Sequence, residues 1–400
     1  MARGSEPITI VEIYGSQLSS CGYCTKKDGS RRPRTSHTVG MGPLQMSCSV
    51  YKRLLDRGWR RSGDYLYKPN LKESCCPSGY CLSAFVISYA PVKYPEGPAH
   101  SGSSRLDALE FKLSKSQRKA LNKWNRFIIY GEDNVTAPSS KTPPSLIDLV
   151  HAADSVVLES QKRQPVHRLE VTLEPSSFTE EKYQLYVKYQ QSIHEDTGNT
   201  PTGFERFLVT SAIHEEPIVY QNASTSTTYP LPTHYGSYHQ MYRVDGELIA
   251  IGVIDILPGC VSSVYFMYAP EWNAWSLGKI SAIREVTLAK EIHDGGLESM
   301  NSLYMVLSQE SYTWHPLETC IPLLEKSEYS TFNESNSDKD AMSQQDMNQM
   351  QVVASIEGGK IKIASLESQE SWNNSRSREQ IEAVIKTFGN GLRDDIILSL

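Results

Sequence analysis

Four cysteines in two close pairs have the spacing that points most directly to chemistry. Cys21 and Cys24 form a Cys-x-x-Cys in "SSCGYCTK", which lets two thiolates reach one metal ion from a tight turn. Cys75 and Cys76 stand side by side in "KESCCPSG", directly ahead of Pro77. A disulfide between neighbours strains the peptide that joins them, so each calls for a partner elsewhere. Together the four sulfurs suit a tetrahedral Zn site or an iron–sulfur cluster, since both accept four thiolates. Two buried pairs of ordinary cysteines is the plainer alternative.

A second group of candidates lies in "YHQMYRVDGELIAIGVIDILP". Asp255 interrupts an apolar strand, where an unpaired carboxylate is costly. It either serves the chemistry or is satisfied by a neighbouring backbone group or arginine. His239, Tyr242 and Arg243 share the preceding strand, with His239 the nearest candidate for a base and a satisfied core histidine its alternative. Strand alternation puts His239 and Arg243 on one face and Tyr242 on the other, so the three cannot line one site without a bulge. His194 and Asp196 in "SIHED" are weaker candidates that equally suit a helix end. No Gly-x-Ser-x-Gly or Cys/His pairing suggests a nucleophilic triad.

These residues need elements to hold them. The 400 residues carry a formal net charge of −6, but residues 1–130 hold 21 Lys+Arg against 9 Asp+Glu. Such asymmetry points to an anionic partner for the first part, nucleic acid being the usual one. That basic segment, a predicted Cys-containing domain over 1–130, closes on "LSKSQRKALNKWNRFI". There Leu113, Leu121, Trp124 and Phe127/Ile128 mark one side of a helix, with Lys115, Arg118, Lys119, Lys123 and Arg126 on the other. Residues 131–166 have the composition of a linker. A second domain is expected over 167–324, where Asp-Gly and Pro-Gly turn signals divide three apolar runs into an antiparallel meander. The following helix has Ser276 as its candidate N-cap. Residues 325–400 are rich in Ser, Asn, Asp and Gln and are expected to be an acidic, mostly disordered tail with a C-terminal helix. The fold class is α+β. The first residues lack the apolar core of a secretory signal and no stretch has the length of a membrane span. A cytoplasmic monomer is therefore expected, with the nucleus as a second compartment and no membrane partner.

In chain order, "CGYC", "LLDRGWRRSGDYLYKP", "CCP", "LEFKLSKSQRKALNKWNRF", "KYQQSIHEDT", "FERFLV", the long meander block, "SLGKISAIREV" and "YTWHPLETC" make the sequence resemble the arginyl-tRNA–protein transferases. The resemblance runs from the N-terminus to about residue 320. It implies a GNAT-like acyltransferase domain behind an N-terminal metal- or cluster-binding domain, with Cys21, Cys24, Cys75 and Cys76 as ligands. It also implies Arg-tRNA as co-substrate and proteins with acidic N-termini as acceptors. An acidic acceptor needs a cationic pocket, for which Arg60, Arg61, Lys68 and Arg243 are the candidates. For that transfer the candidate catalytic residues are Asp255, His239 and Tyr242, and Lys115, Arg118, Lys119, Lys123 and Arg126 make a stripe suited to tRNA phosphates. Two passages depart from the family pattern, an atypical insert over 79–104 and a shortened interval near 303–311. They leave a non-catalytic binding form as one alternative. A small-molecule GNAT enzyme is the other, although "SLGKISA" has only one glycine for a pyrophosphate loop.

Overall fold

A computed structural model of the chain describes residues 7–20, 34–70, 72–75, 104–105, 108–109, 111–132, 144–221, 230–297, 305–307, 314–316, 338, 340–358 and 360–400. The architecture is mixed α+β, in two layered units. The first begins with strands β1 (Thr9–Ser19) and β2 (Ser36–Gln45), helix α1 (Cys48–Asp56), and strands β3 (Arg60–Ser62) and β4 (Tyr65–Pro69). Helix α1 starts where the Ser47 hydroxyl accepts the Val50 N–H, and it buries Val50, Tyr51, Leu54 and Leu55. Gly63, at φ +64°, makes the tight turn between β3 and β4.

The second unit follows with β5 (Ser104–Arg105) and helices α2 (Lys115–Tyr130), α3 (Leu146–His151) and α4 (Ser155–Ser160). Next come β6 (Leu169–Pro175), α5 (Glu180–His194), α6 (Pro201–Phe204) with a π-helical turn at Glu205–Val209, and β7 (Glu216–Pro217). The meander is β8 (His234–Val244), β9 (Glu247–Leu257) and β10 (Cys260–Tyr268), and helix α7 (Leu277–Asp294) follows it. Its sheet runs β10-β9-β8-β6, with β7 added to β8. The two turns have the conformations their residues demand. Asp245 and Gly246 both have positive φ, as a type I′ hairpin turn requires, and Gly259 takes φ +71° after Pro258. Short strands β11 (Met305–Leu307) and β12 (Trp314–Pro316) form a small sheet with β5, so part of the interval near 303–311 is strand.

The largest departure from the sequence-based expectation is residues 338–400, which are folded. They carry helices Gln344–Asn348 and Ser375–Ile385 and strands β13 (Gln351–Glu357), β14 (Lys360–Ser365) and β15 (Ile396–Ser399). The sheet order is β14-β13-β15-β1-β2-β4-β3, so this segment completes the first unit, with β15 parallel to β1. Met347, Met350, Val352, Leu366, Trp372, Val384, Phe388 and Leu398 join Trp59 and Met41 in one core. The apolar residues are spaced among Ser, Asn and Gln, so bulk composition hides a sufficient core.

Two boundaries also shift. Helix α2 belongs to the second unit, because Trp124 and Ile128 pack with Leu277 and Ile280 of α7, and Leu121 with Ile283. Ser114 and Gln117 form a capping box at its start, and Gly131 closes it at φ +76°. The predicted linker contains α3 and α4, whose Val150 and Leu158 are fully buried. Ser276 does not cap α7 with its hydroxyl. It takes φ +55°, and its carbonyl accepts the Lys279 and Ile280 N–H groups.

Candidate functional site

The two units meet at a bridge between Met46 and Ile213, in a shared core that takes in Leu257, and at a buried charged pair. Arg61 on β3 sends its guanidinium into the second sheet, where Nε donates to Asp255 Oδ2 at 2.8 Å and Nη2 to Asp255 Oδ1 at 2.6 Å. Register places Ser237 opposite Asp255, and the Ser237 hydroxyl donates to the same carboxylate at 2.8 Å. The Arg61 and Asp255 side chains are 1% and 0% exposed. The strand carboxylate is thus satisfied by an arginine and, as it stands, is closed to substrate. The fork is the strong charge-assisted geometry, which fixes the two units in register.

Arg60 and Lys68, expected in an accessible cationic pocket, are also interior. Arg60 donates to the Leu55 and Trp59 carbonyls at 3.3 and 2.6 Å, and burial pulls its pKa below the usual arginine range. Lys68 donates to the Arg57 carbonyl. Burial, with the charges of Arg57 and Arg60, pushes its ammonium down to about 7. Register puts Arg60 and Lys68 on opposite faces of β3–β4, and both faces are covered, in a sequence rich enough in arginine to resemble a surface.

His239 and Tyr242 do not share a site with each other. His239 is fully buried, its Nε2 donates to the Leu208 carbonyl at 3.0 Å, and burial pushes it down to about 4. It is neutral at physiological pH and has no access to solvent, which argues against a general base. The Tyr242 hydroxyl donates to Gln240 Oε1 on the other face, where burial raises its pKa. Arg243 lies at the surface in a fork with Glu181 of α5, Nη1 to Oε1 at 2.6 Å. The bulge between Tyr242 and Arg243 does not bring the three together.

A cavity of about 430 Å³ opens beside the Arg61–Asp255 joint. The β3–β4 turn supplies Asp64 and Tyr65, and the α5–α6 region supplies Tyr186, Asp196, Arg206 and Phe207. Helix α5 ends at Glu195 in the left-handed conformation, which turns Asp196 back so that its N–H reaches the Gln190 carbonyl. Thr200 caps α6 by accepting the Gly203 N–H, and α6 runs straight into the π turn that carries Arg206. Asp196 is a candidate on sequence alone, whereas Asp64 and Arg206 are not. Their meeting is not legible in either stretch, because it joins two segments more than a hundred residues apart.

Helix α2 presents Lys115, Arg118 and Lys119 to solvent and Lys123 and Arg126 half-buried. Lys123 sits 4.6 Å above the Trp275 ring, while Lys279 of α7 donates to Ser116 at 3.4 Å and extends the basic face. Trp124 is core, 1% exposed. Beneath, Arg284 and Asp154 form a buried fork, and His151 bridges Asp154 and Glu291 at 2.7 and 2.9 Å. Glu285, on the same helix as Arg284, is pushed up to about 7 by burial, with the Ser281 hydroxyl donating at 2.9 Å.

Of the four cysteines, Cys75 is described and Cys21, Cys24 and Cys76 lie outside the described residues. The Cys75 N–H donates to the Thr35 carbonyl at 2.8 Å, and the Thr35 N–H to the Ser19 carbonyl at 3.0 Å. Cys75 is therefore tied to the end of the β1–β2 hairpin, two residues along the chain from Cys21. Among the described residues no group of three or more metal-ligating side chains occurs.

Both units match known families. Residues 19–81 match the family "Arginine-tRNA-protein transferase, N terminus", and residues 181–313 match its "C terminus" counterpart. Arginyl-tRNA–protein transferase 1 of Drosophila melanogaster is 27% identical over an alignment of 462 residues, covering 83% of this chain and 87% of the fly protein. That alignment is longer than this 400-residue chain, so the fly protein has residues without a counterpart here. The Saccharomyces cerevisiae transferase of the same name is 30% identical over 304 residues, 69% of this chain and 54% of the yeast protein. An aspartate/glutamate leucyltransferase of Pseudomonas fluorescens is 24% identical over 277 residues, 69% of this chain and 79% of its own. With its two halves matched in family order, one on each side of the Arg61–Asp255 joint, the chain belongs to the arginyl-tRNA–protein transferase family.

Proposed function

We propose that this chain transfers arginine from Arg-tRNA to the α-amino group of acceptor proteins that begin with Asp, Glu or an oxidised Cys, marking them for ubiquitin-dependent degradation. The observation that carries the reading is the match of both halves to one transferase family. The reaction is aminolysis of an ester. The acceptor amine attacks the arginyl carbonyl, the tetrahedral oxyanion collapses, and the tRNA 3′ oxygen leaves. An α-amine titrates near 7.7–8.0, so it is partly unprotonated at neutral pH and needs little base assistance. The ester is already activated, and orientation with oxyanion stabilisation suffices for much of the rate. This agrees with a buried, neutral His239 and a fully paired Asp255. Arg61 and Asp255 are positioning residues that lock the two substrate-binding units.

The second unit works as a GNAT-type acyltransferase domain in this reading, supported by the β8–β10 meander leading into α7. Helix α2 receives tRNA phosphates through Lys115, Arg118 and Lys119, an interaction that positions without reading bases. Cys21, Cys24, Cys75 and Cys76 hold Zn or an iron–sulfur cluster. The support is the hydrogen bond from the Cys75 N–H to the Thr35 carbonyl, which ties the main chain of one of these cysteines to the end of the β1–β2 hairpin. A bound metal or cluster would fix the loop beside β4. Visible absorption of anaerobically purified protein distinguishes a brown cluster from colourless Zn.

The test is transfer of labelled arginine from charged tRNA to a peptide starting with Asp, beside one starting with a neutral residue. Transfer to the first alone is expected. Peptide binding without transfer favours the non-catalytic form, and transfer to both peptides removes the acidic-acceptor claim.

A further inference from the structure

Of the four cations expected to form the pocket, Arg60, Arg61 and Lys68 are buried and Arg243 is held by Glu181, so an acidic acceptor needs another accessible cation. Arg206 supplies one. It is exposed at the cavity, and among the described residues neither a carboxylate nor a hydroxyl engages its guanidinium. Asp64 and Asp196 line the same cavity without forming an ion pair to Arg206, although an arginine placed for stability would take one of them. The volume of about 430 Å³ lies within the roughly 300–1,000 Å³ of small-molecule sites.

We propose that this cavity is the acceptor site, with Arg206 binding the side-chain carboxylate of the acceptor's first residue and Asp64 and Asp196 receiving its α-amine. The inference rests on the transfer reading above and names the residues that select its acceptor. A first residue of Asp or Glu carries one anion and one amine, and the cavity offers one cation and two carboxylates. The arginyl end of the tRNA carries two cations and no side-chain carboxylate, so it offers Arg206 no partner here. Tyr65, Tyr186 and Phe207 add apolar area to the walls.

The cavity is also preformed. Gly63 sits so close to the π turn that an added Cβ would lie 1.9 Å from the Arg206 carbonyl oxygen, so the β3–β4 turn is seated directly on Arg206's backbone. Two residues on, the Leu208 carbonyl accepts from buried His239. The π turn is thereby pinned from both sides, and π turns of this kind are frequent at functional sites. Asp196 is held by its own turn, Oδ1 accepting the Gly198 N–H at 2.9 Å, and among the described residues no partner engages Oδ2.

Fluorescence anisotropy of labelled peptides starting with Asp or Asn, measured on the full chain without tRNA, reads the site directly. The wild-type chain is expected to bind the Asp peptide at least about tenfold more tightly, the effect of one hydrogen-bonded charge. Arg206→Ala is expected to abolish the preference and Arg206→Glu to invert it, with unchanged near-ultraviolet circular dichroism. Asp64→Asn should weaken both peptides alike. An Asp preference retained by folded Arg206→Glu overturns the proposal, as does a wild-type chain that binds neither peptide. Arg206-dependent Asp binding without arginine transfer supports the site while refuting the transfer reading. Transfer with a preference indifferent to Arg206 does the reverse.

Discussion

Arg61 and Asp255 meet through two parallel hydrogen bonds of 2.8 and 2.6 Å although 194 residues separate them, and they do so with almost no exposure to solvent. Removing one partner leaves a buried, uncompensated charge. Asp255→Ala is therefore expected to cost about 3–5 kcal/mol, read as a lower urea midpoint. Arg61→Met with Asp255→Leu should recover most of that loss, because replacing a buried pair by apolar groups is often near neutral. Equal loss in the single and double variants would contradict this account of the joint.

Glu285 gives a pH signature. Burial pushes its carboxyl from 4.5 up to about 7, so between these values the folded chain holds a proton that the unfolded chain has released. Stability is lost as pH rises through that window, by about 3 kcal/mol. Glu285→Gln is neutral at every pH and keeps an acceptor for Ser281. It should flatten the decline in melting temperature between pH 4.5 and 7.

His239 has the opposite sign. Its imidazole is pushed from 6.5 down to about 4, so in that interval the unfolded chain binds the proton and the folded chain does not. Its contribution is complete above pH 6.5 and lost as pH falls toward 4. The ring proton resonances of His239 should stay unshifted down to about pH 5, one unit above that value. A titration near 6.5 would return His239 to the candidate bases.

Charge reversal of Lys115, Arg118 and Lys119 should weaken tRNA binding and lower the slope of log K against log salt by about 1 for each phosphate left without its cation. The melting temperature should hardly change, since all three are exposed. A slope that does not move would place the tRNA elsewhere.

Leu398 is fully buried on β15, opposite Val11 of β1 and Val352 of β13. Leu398→Ala should cost about 2–5 kcal/mol. Deletion of 396–400 should leave the first unit unable to fold, seen as a near-ultraviolet dichroism spectrum without its native bands.

What the sequence makes legible is local. The meander follows from its turn residues, α2 and α7 from apolar spacing, and Asp255 from a charge in an apolar strand. Its partner is not legible, because nothing in "RGWRR" says which arginine turns inward or that it meets a strand almost two hundred residues away. The C-terminal segment looks disordered for a related reason. Its apolar residues are diluted by Ser and Gln, and β15 pairs with β1, across nearly the whole chain. Arg206 and Asp64 leave no signal, because a cavity between units has no periodicity.

The placement of β15 between β13 and β1 bears on the order in which the protein is made. Domains emerging from the ribosome usually fold from the N-terminus onward. Here the meander and α7 are complete while the first unit still lacks three of its seven strands, including the one against β1. Strands β1 to β4 wait with an open, apolar edge until residues 396–399 arrive. The opening segment from Thr9 to Pro69 is thus among the last parts to become native, and in the meantime it is exposed to chaperones and to mispairing with other chains.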